Sequence, residues 1–241
     1  MILLLFLALP PGLCAQNISA LNPEIRAQIV PVKHTILSAE MDGRINKLPV
    51  REGDYFNKQD LLLAFDCALE RALLDKARAK LNRAEKKMAV EKRLMQLDSG
   101  SELELAVAEA KVREARAEKS VQEVKAGRCA IKAPFAGRVA ELMVQRFQTV
   151  KEGQSLMRIV NPDILEIKLL VPSTWLSWLK PGHDFKVHVD ETNSTYEAEV
   201  RATGPWIDAV SQSVQVYARI KGGHRELRPG MSGKASLKAL R

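Results

Sequence analysis

Cys67 and Cys129 flank a long proline-free stretch and are two of the chain's three cysteines. Such a pair can close a disulfide or stay as two buried thiols. The outcome depends on whether the intervening chain folds back on itself and on the redox compartment. Other reactive side chains are scattered. His34, His183, His188 and His224 fall on apparent strands and turns and read as ordinary surface histidines, and His183 and His188, five apart, do not share a face at period two. There is no Gly-x-Ser-x-Gly string, no His-Glu-x-x-His string, and no His/Met/Cys cluster with metal-ligand spacing. The expectation is a protein with no catalytic residue, no metal and no cofactor, and not an enzyme.

The elements that hold these residues are more informative. The chain has 241 residues and a net charge of +8, but its 37 Lys and Arg are interleaved with 29 acids, so no basic block marks a nucleic-acid site. Aromatics are only 5% of residues, too few for a stacking platform. Ile2 to Leu9 form an apolar run ended by Pro10, Pro11 and Gly12. That run is shorter than the roughly 20 residues a membrane-spanning helix needs. It reads as the core of a signal peptide over residues 1–15, although no Lys or Arg precedes it. Cys14 raises a lipoprotein reading, which its neighbours fit poorly.

A repeat organises the middle of the chain. "AEMDGRINKLPVREGDYFNKQDLLLAFD" (39–66) aligns with "APFAGRVAELMVQRFQTVKEGQSLMRIV" (133–160) at a constant offset of 94 residues. Ala39 meets Ala133, Gly43 meets Gly137, Arg44 meets Arg138, Val50 meets Val144 and Leu62 meets Leu156. Each copy has short apolar runs punctuated by glycine turns, so each reads as a set of strands.

Residues 67–128 separate the copies and are dominated by Ala, Leu, Glu, Lys and Arg, all good helix formers. Two rows at alternating three- and four-residue spacing predict a coiled-coil seam: Leu74, Ala77, Leu81, Ala84, Met88, Glu91, Met95, and Leu103, Val107, Ala110, Glu114, Ala117, Val121, Val124. "DSGS" (98–101) breaks them, and Ser101 with Glu104 predicts a capping box. Helices joined by so short a turn must run antiparallel, which brings position 67 opposite about 129. Dense charge on the outer faces favours a projecting hairpin. Beyond residue 160, "KVHVD", "YEAEV" and "VQVYARI" alternate apolar and polar residues as half-buried strands do. "EIRAQIVPVKHTIL" near the start alternates likewise and is expected to join them.

Two half-motifs around a helical hairpin, "GRI…VREGD" and "APFAGRV…VKEGQSL", followed by "LRPGM" (227–231), resemble the periplasmic adaptor or membrane fusion protein family, HlyD-like and of RND efflux type. The resemblance spans about residues 25–241. It implies a mainly β fold with an α-helical hairpin: N-terminal strands 24–38 joining a barrel, lipoyl-like halves 39–66 and 129–160, the hairpin 67–128 inserted between them, and an antiparallel β-barrel over 161–241. It also implies that Met231 plugs the barrel end. The membrane-proximal domain of many relatives is expected to be missing or rudimentary.

The implied function is a periplasmic adaptor, associated with the inner membrane, acting by assembly as a homo-oligomeric ring. Its partners would be an inner-membrane transporter of RND or ABC type and an outer-membrane channel. Many adaptors carry Arg-x3-Leu-x6-Ser at the hairpin tip. Arg93 and Leu97 match, Glu104 stands where the serine should be, and Ser101, with Ser99 as the second choice, is the expected substitute in a shorter tip. Carrier chemistry would need a lysine at the hairpin turn that the insert replaces, and Lys58 and Lys151 lie elsewhere. A stand-alone envelope protein binding a small ligand is the remaining rival.

Overall fold

In the computed structural model, which describes residues 25–238, the 94-residue repeat becomes two interleaved sheets. In chain order the elements are β1 (Ile25–Pro31), β2 (His34–Ser38), β3 (Gly43–Lys47), β4 (Tyr55–Phe56), β5 (Leu61–Phe65), α1 (Ala68–Gln96) and α2 (Glu102–Gly127). Then come β6 (Ala130–Lys132), β7 (Gly137–Leu142), β8 (Thr149–Val150), β9 (Ser155–Val160), β10 (Leu165–Pro172), a 3-10 turn (Ser173–Ser177), β11 (Asp184–Val189), β12 (Ser194–Asp208), β13 (Ser213–Ile220) and β14 (Ser232–Ser236). Residues 1–15, with Cys14, lie outside the described residues. The chain divides into two units, Pro31–Leu165 and the flanking segments Met1–Val30 with Glu166–Arg241.

In the first unit the offset of 94 carries β3 onto β7, β4 onto β8 and β5 onto β9. The sheets run β2-β9-β7-β4 and β6-β5-β3-β8, so each combines strands of both copies. The exchange is reciprocal: Tyr55 pairs with Arg138, and its repeat equivalent Thr149 pairs with Arg44. The turns repeat as well. Asp54 and Asp60 accept the Arg51 and Asn57 amides at 2.8 and 2.7 Å, and 94 residues on Gln148 and Gln154 accept those of Gln145 and Lys151 at 2.9 and 3.2 Å. Between the sheets one core holds Ile45 with Val139, Leu62 with Leu156 and Phe65 with Ile159. Gly137 is needed where it stands, because a Cβ there would run into the Val160 carbonyl oxygen.

The helices emerge from adjacent strands, since β5 pairs with β6. They lie side by side in opposite directions, as the cross-pairs Lys80–Glu118 (2.6 Å) and Arg116–Glu85 (3.6 Å) require. All seven expected seam residues of α1 are buried or half-buried. On α2 the expected row is wrong in phase: Leu103, Val107, Ala110, Glu114, Ala117, Val121 and Val124 are all exposed. The inward row is Leu105, Ala108, Val112, Ala115, Lys119, Gln122 and Ala126. Both rows have heptad spacing and both carry alanines, but the expected row has the charged Glu114 at its centre where the inward row has Ala115. Glu114 instead faces Lys80 at 3.6 Å. Glu118, hydrogen-bonded to Lys80, holds that amine above its usual pKa.

The second unit contains a closed barrel, β1-β10-β13-β12-β11-β14, with alternating inward residues such as Ile167, Leu169 and Val171. Of the expected 24–38 segment only β1 joins it, and β2 pairs with β9 instead. Alternation marks both as strands but does not name their partners. Met231 is half-buried, not a plug: its sulfur accepts the Arg228 amide at 3.3 Å, and Leu227, 4% exposed, is the inward residue of that turn.

Two turn carboxylates give the barrel a pH dependence. Glu191 is held below its usual pKa by its own backbone amide and that of Ser232, and Asp208 by the amide of Ser211. Both are depressed in the folded state, so their contribution is present above their unfolded values near ~4 and is lost as pH falls through the folded ones. The barrel's melting temperature should therefore hold from neutrality to about pH 5 and decline below about pH 4. Glu191→Gln should flatten part of that decline, as thermal scans across the range would show.

Candidate docking site at the helix turn

The end of α1 is fixed by backbone chemistry. The Asp98 amide bonds the Met95 carbonyl at 3.1 Å and the Ser99 amide bonds that of Leu94 at 3.0 Å, with Asp98 at φ 54°. This is the paired pattern of a Schellman stop, with aspartate in the left-handed position that glycine usually takes. Gly100 follows because the chain folds back over Met95, and a Cβ would lie 2.6 Å from the Met95 backbone nitrogen. Ser101 then starts α2 in extended conformation, its carbonyl accepting the Leu105 amide at 3.0 Å. The expected capping box is not formed: the Ser101 side chain makes no cap hydrogen bond. Glu102 and Glu104 in the first turn favour the helix start electrostatically.

The tip presents what this turn leaves outside. Arg93 is exposed, and among the described residues no ion pair engages it. Leu97 is 58% exposed, and Ser101 is exposed across the turn. Val90, Leu94 and Leu97, at i, i+4 and i+7, form one exposed apolar helix face, joined at the tip by Leu103 at 71% exposure. Val90 and Leu94 were not singled out from the sequence, although their spacing with Leu97 was there to find. Leu103 was assigned to the seam.

At the other end of the helices the Cys67 and Cys129 sulfurs are bonded, with Cα atoms 6.0 Å apart. Cys67 is the N-cap of α1 and fully buried in the inter-sheet core. A Glu70 carboxylate oxygen lies within 4.8 Å of both sulfurs, a grouping the sequence did not reveal. With the sulfurs committed to each other, it offers a cation one carboxylate. His183, expected at the surface, is 7% exposed and packs edge-on against Trp178, because the chain carries it inward as β11 begins. A shallow cleft of 220 Å³ is lined by Pro181, Gly182, Glu199, Val200, Arg201 and Arg219. No helix among the described residues is long and apolar enough to cross a membrane.

Residues 35–162 match the family model described as the RND MFP barrel-sandwich hybrid domain, and residues 167–241 match the CusB-like β-barrel domain. The nodulation protein NolF of Rhizobium meliloti is 28% identical over 222 residues, covering 86% of this chain and 60% of its own length. An uncharacterised protein of Haemophilus influenzae is 25% identical over 82% of this chain and 52% of its own. The chain thus spans somewhat over half the length of these relatives. Among solved structures, a MacA–MexA chimeric protein containing the Pseudomonas aeruginosa MexA α-hairpin domain is similar with a TM-score of 0.80. It is 22% identical and the match covers 90% of this chain and 81% of that one. The membrane fusion protein Spr0693 of Streptococcus pneumoniae has a TM-score of 0.75 at 14% identity, covering 90% and 99%. These structural likenesses are likenesses of fold.

Proposed function

This chain belongs to the RND-type membrane fusion protein family, and we propose that it serves as a periplasmic adaptor linking an inner-membrane transporter to an outer-membrane channel. The two interleaved sheets are then the split lipoyl-like sandwich, and the helices an antiparallel coiled-coil hairpin inserted in it. The protein works by assembly and not by catalysis, in the cell envelope against the inner membrane. The observation that carries this reading is the hairpin tip. An ordered turn holds Leu97, Leu94 and Leu103 in solvent beside an Arg93 that no ion pair engages among the described residues. An apolar helix face with a forked donor at its end suits docking against another helix tip.

A ring of copies is supported by the outer face of α2. Leu103, Val107, Val121 and Val124 are 71%, 39%, 52% and 59% exposed at heptad spacing, a second apolar row beside the internal seam. Neighbouring hairpins in a ring would cover it. For the small-ligand rival, the 220 Å³ cleft is below the roughly 300 Å³ at which small-molecule sites begin.

A photo-crosslinker at Leu97 in the native host tests the docking role. The expected main adduct is an outer-membrane channel, identified by mass spectrometry. A stably exported protein that yields only self-adducts would remove the tip from the docking surface.

A further inference from the structure

The end of the barrel where β12 turns into β13 carries exposed apolar side chains. Trp206 is 81% exposed, Ile207 46% and Val210 95%. Single exposed apolar residues are ordinary, but three within five positions of one turn are not background. The turn holds them there by structure. Asp208 Oδ1 accepts the amides of Val210 and Ser211 at 3.1 and 2.8 Å and the Ser211 hydroxyl at 2.9 Å. β12 also continues past its partner β11, whose pairing stops at Asp184–Glu199, while β12 and β13 stay paired to Asp208–Ser213. The Ser173 amide donates to the Gln212 carbonyl at 2.8 Å, which sets the 3-10 turn and its Trp175 beside the same turn. All three tryptophans of the chain, Trp175, Trp178 and Trp206, therefore lie on segments meeting at this end.

The directions of the strands place the start of the first described strand at this end. β1 is antiparallel to β14, β14 to β11 and β11 to β12, so β1 begins at the barrel end where β12 finishes. The chain therefore enters β1 at that end. Tryptophan, with an apolar ring and one N–H donor, partitions to the headgroup layer of a bilayer, and small aliphatic side chains partition just below it. On the turn, Asp208 Oδ1 is engaged by three donors, and Lys180 is exposed just beyond the 3-10 turn.

We propose that the Trp206–Val210 turn is a lipid-contact element that enters the interfacial layer of an anionic bilayer and seats this end of the barrel on the membrane. The inference takes from the adaptor reading only an envelope location, and its test needs no partner protein.

The test uses the full chain with Trp175→Phe and Trp178→Phe, leaving Trp206 as the sole tryptophan. Vesicles of phosphatidylethanolamine and phosphatidylglycerol with brominated acyl chains are added. Trp206 emission should shift to shorter wavelength and be quenched, and Val210→Asp should abolish the quenching while leaving the circular dichroism melt unchanged. If the phenylalanine background does not fold, the difference between the parent chain and Trp206→Phe isolates the same signal. An unshifted, unquenched Trp206 overturns the proposal, whether or not the chain sediments with the vesicles through its apolar N-terminal run. So does a shift that appears only when a solubilised transporter is added, which would make the turn a protein contact.

Discussion

Replacing Cys67 and Cys129 together by serine is expected to lower the stability of the Pro31–Leu165 unit by about 4 kcal/mol. The bond spans 62 positions, and in the chain-entropy model closing a loop of that length removes about 4 kcal/mol of unfolded-state freedom. The native side gives little to offset the loss. Cys67 is the N-cap of α1 and supplies no side-chain cap, and Cys129 stands just beyond the C-cap of α2, so the bond pins both helix feet at once. Two spectroscopic probes separate the units. Both long helices lie in Pro31–Leu165 and all three tryptophans lie in Glu166–Arg241. Urea titration of the double variant should move the helical far-UV transition to lower concentration and leave the tryptophan transition where it was. Adding a thiol reductant to the parent protein should have the same effect. A parent that contains two titratable thiols and is indifferent to reductant would show that the pair is not bonded in the protein.

Much of this fold was legible in the chain, for reasons that differ by element. The constant 94-residue offset exposed the two interleaved sheets, because repeat equivalents such as Gly43 and Gly137 keep their places in paired strands. The seam of α1 was readable because its apolar row is broken only at Glu91, whereas the outer row of Leu69, Leu73, Val90 and Leu94 is interrupted by Lys76, Lys80, Arg83 and Lys87. α2 misled because it has two apolar rows one or two positions apart, and local spacing does not say which one a neighbour covers. The tip is set by a backbone stop at Asp98 and a close approach at Gly100, where the Ser101–Glu104 pattern pointed to a side-chain cap. The exposed Trp206 and Val210 could not be anticipated, because exposure depends on where β11 begins beside β12, a feature of sheet topology.

The repeat also makes a quantitative claim on the core. Leu62 and Leu156 occupy equivalent places in β5 and β9, and both are 0% exposed in the inter-sheet cluster. Truncation to alanine removes the transfer energy of the lost atoms and leaves a cavity, which for a leucine in a close-packed core costs about 2–5 kcal/mol. If the pseudo-symmetry governs packing as well as backbone, Leu62→Ala and Leu156→Ala should cost about the same, ~3 kcal/mol each. The far-UV urea transition reads both. The double variant would lose ~6 kcal/mol or more, which is comparable with the whole 5–15 kcal/mol stability typical of a domain. It should therefore show no cooperative helical transition while the barrel's tryptophan transition persists. Costs differing by more than ~2 kcal/mol would mean that one sheet collapses around its cavity and the other does not, so that the repeat is conserved in backbone path alone. A tryptophan transition that shifts with either variant would mean that the two units unfold as one, and stability assigned to either would then belong to the whole chain.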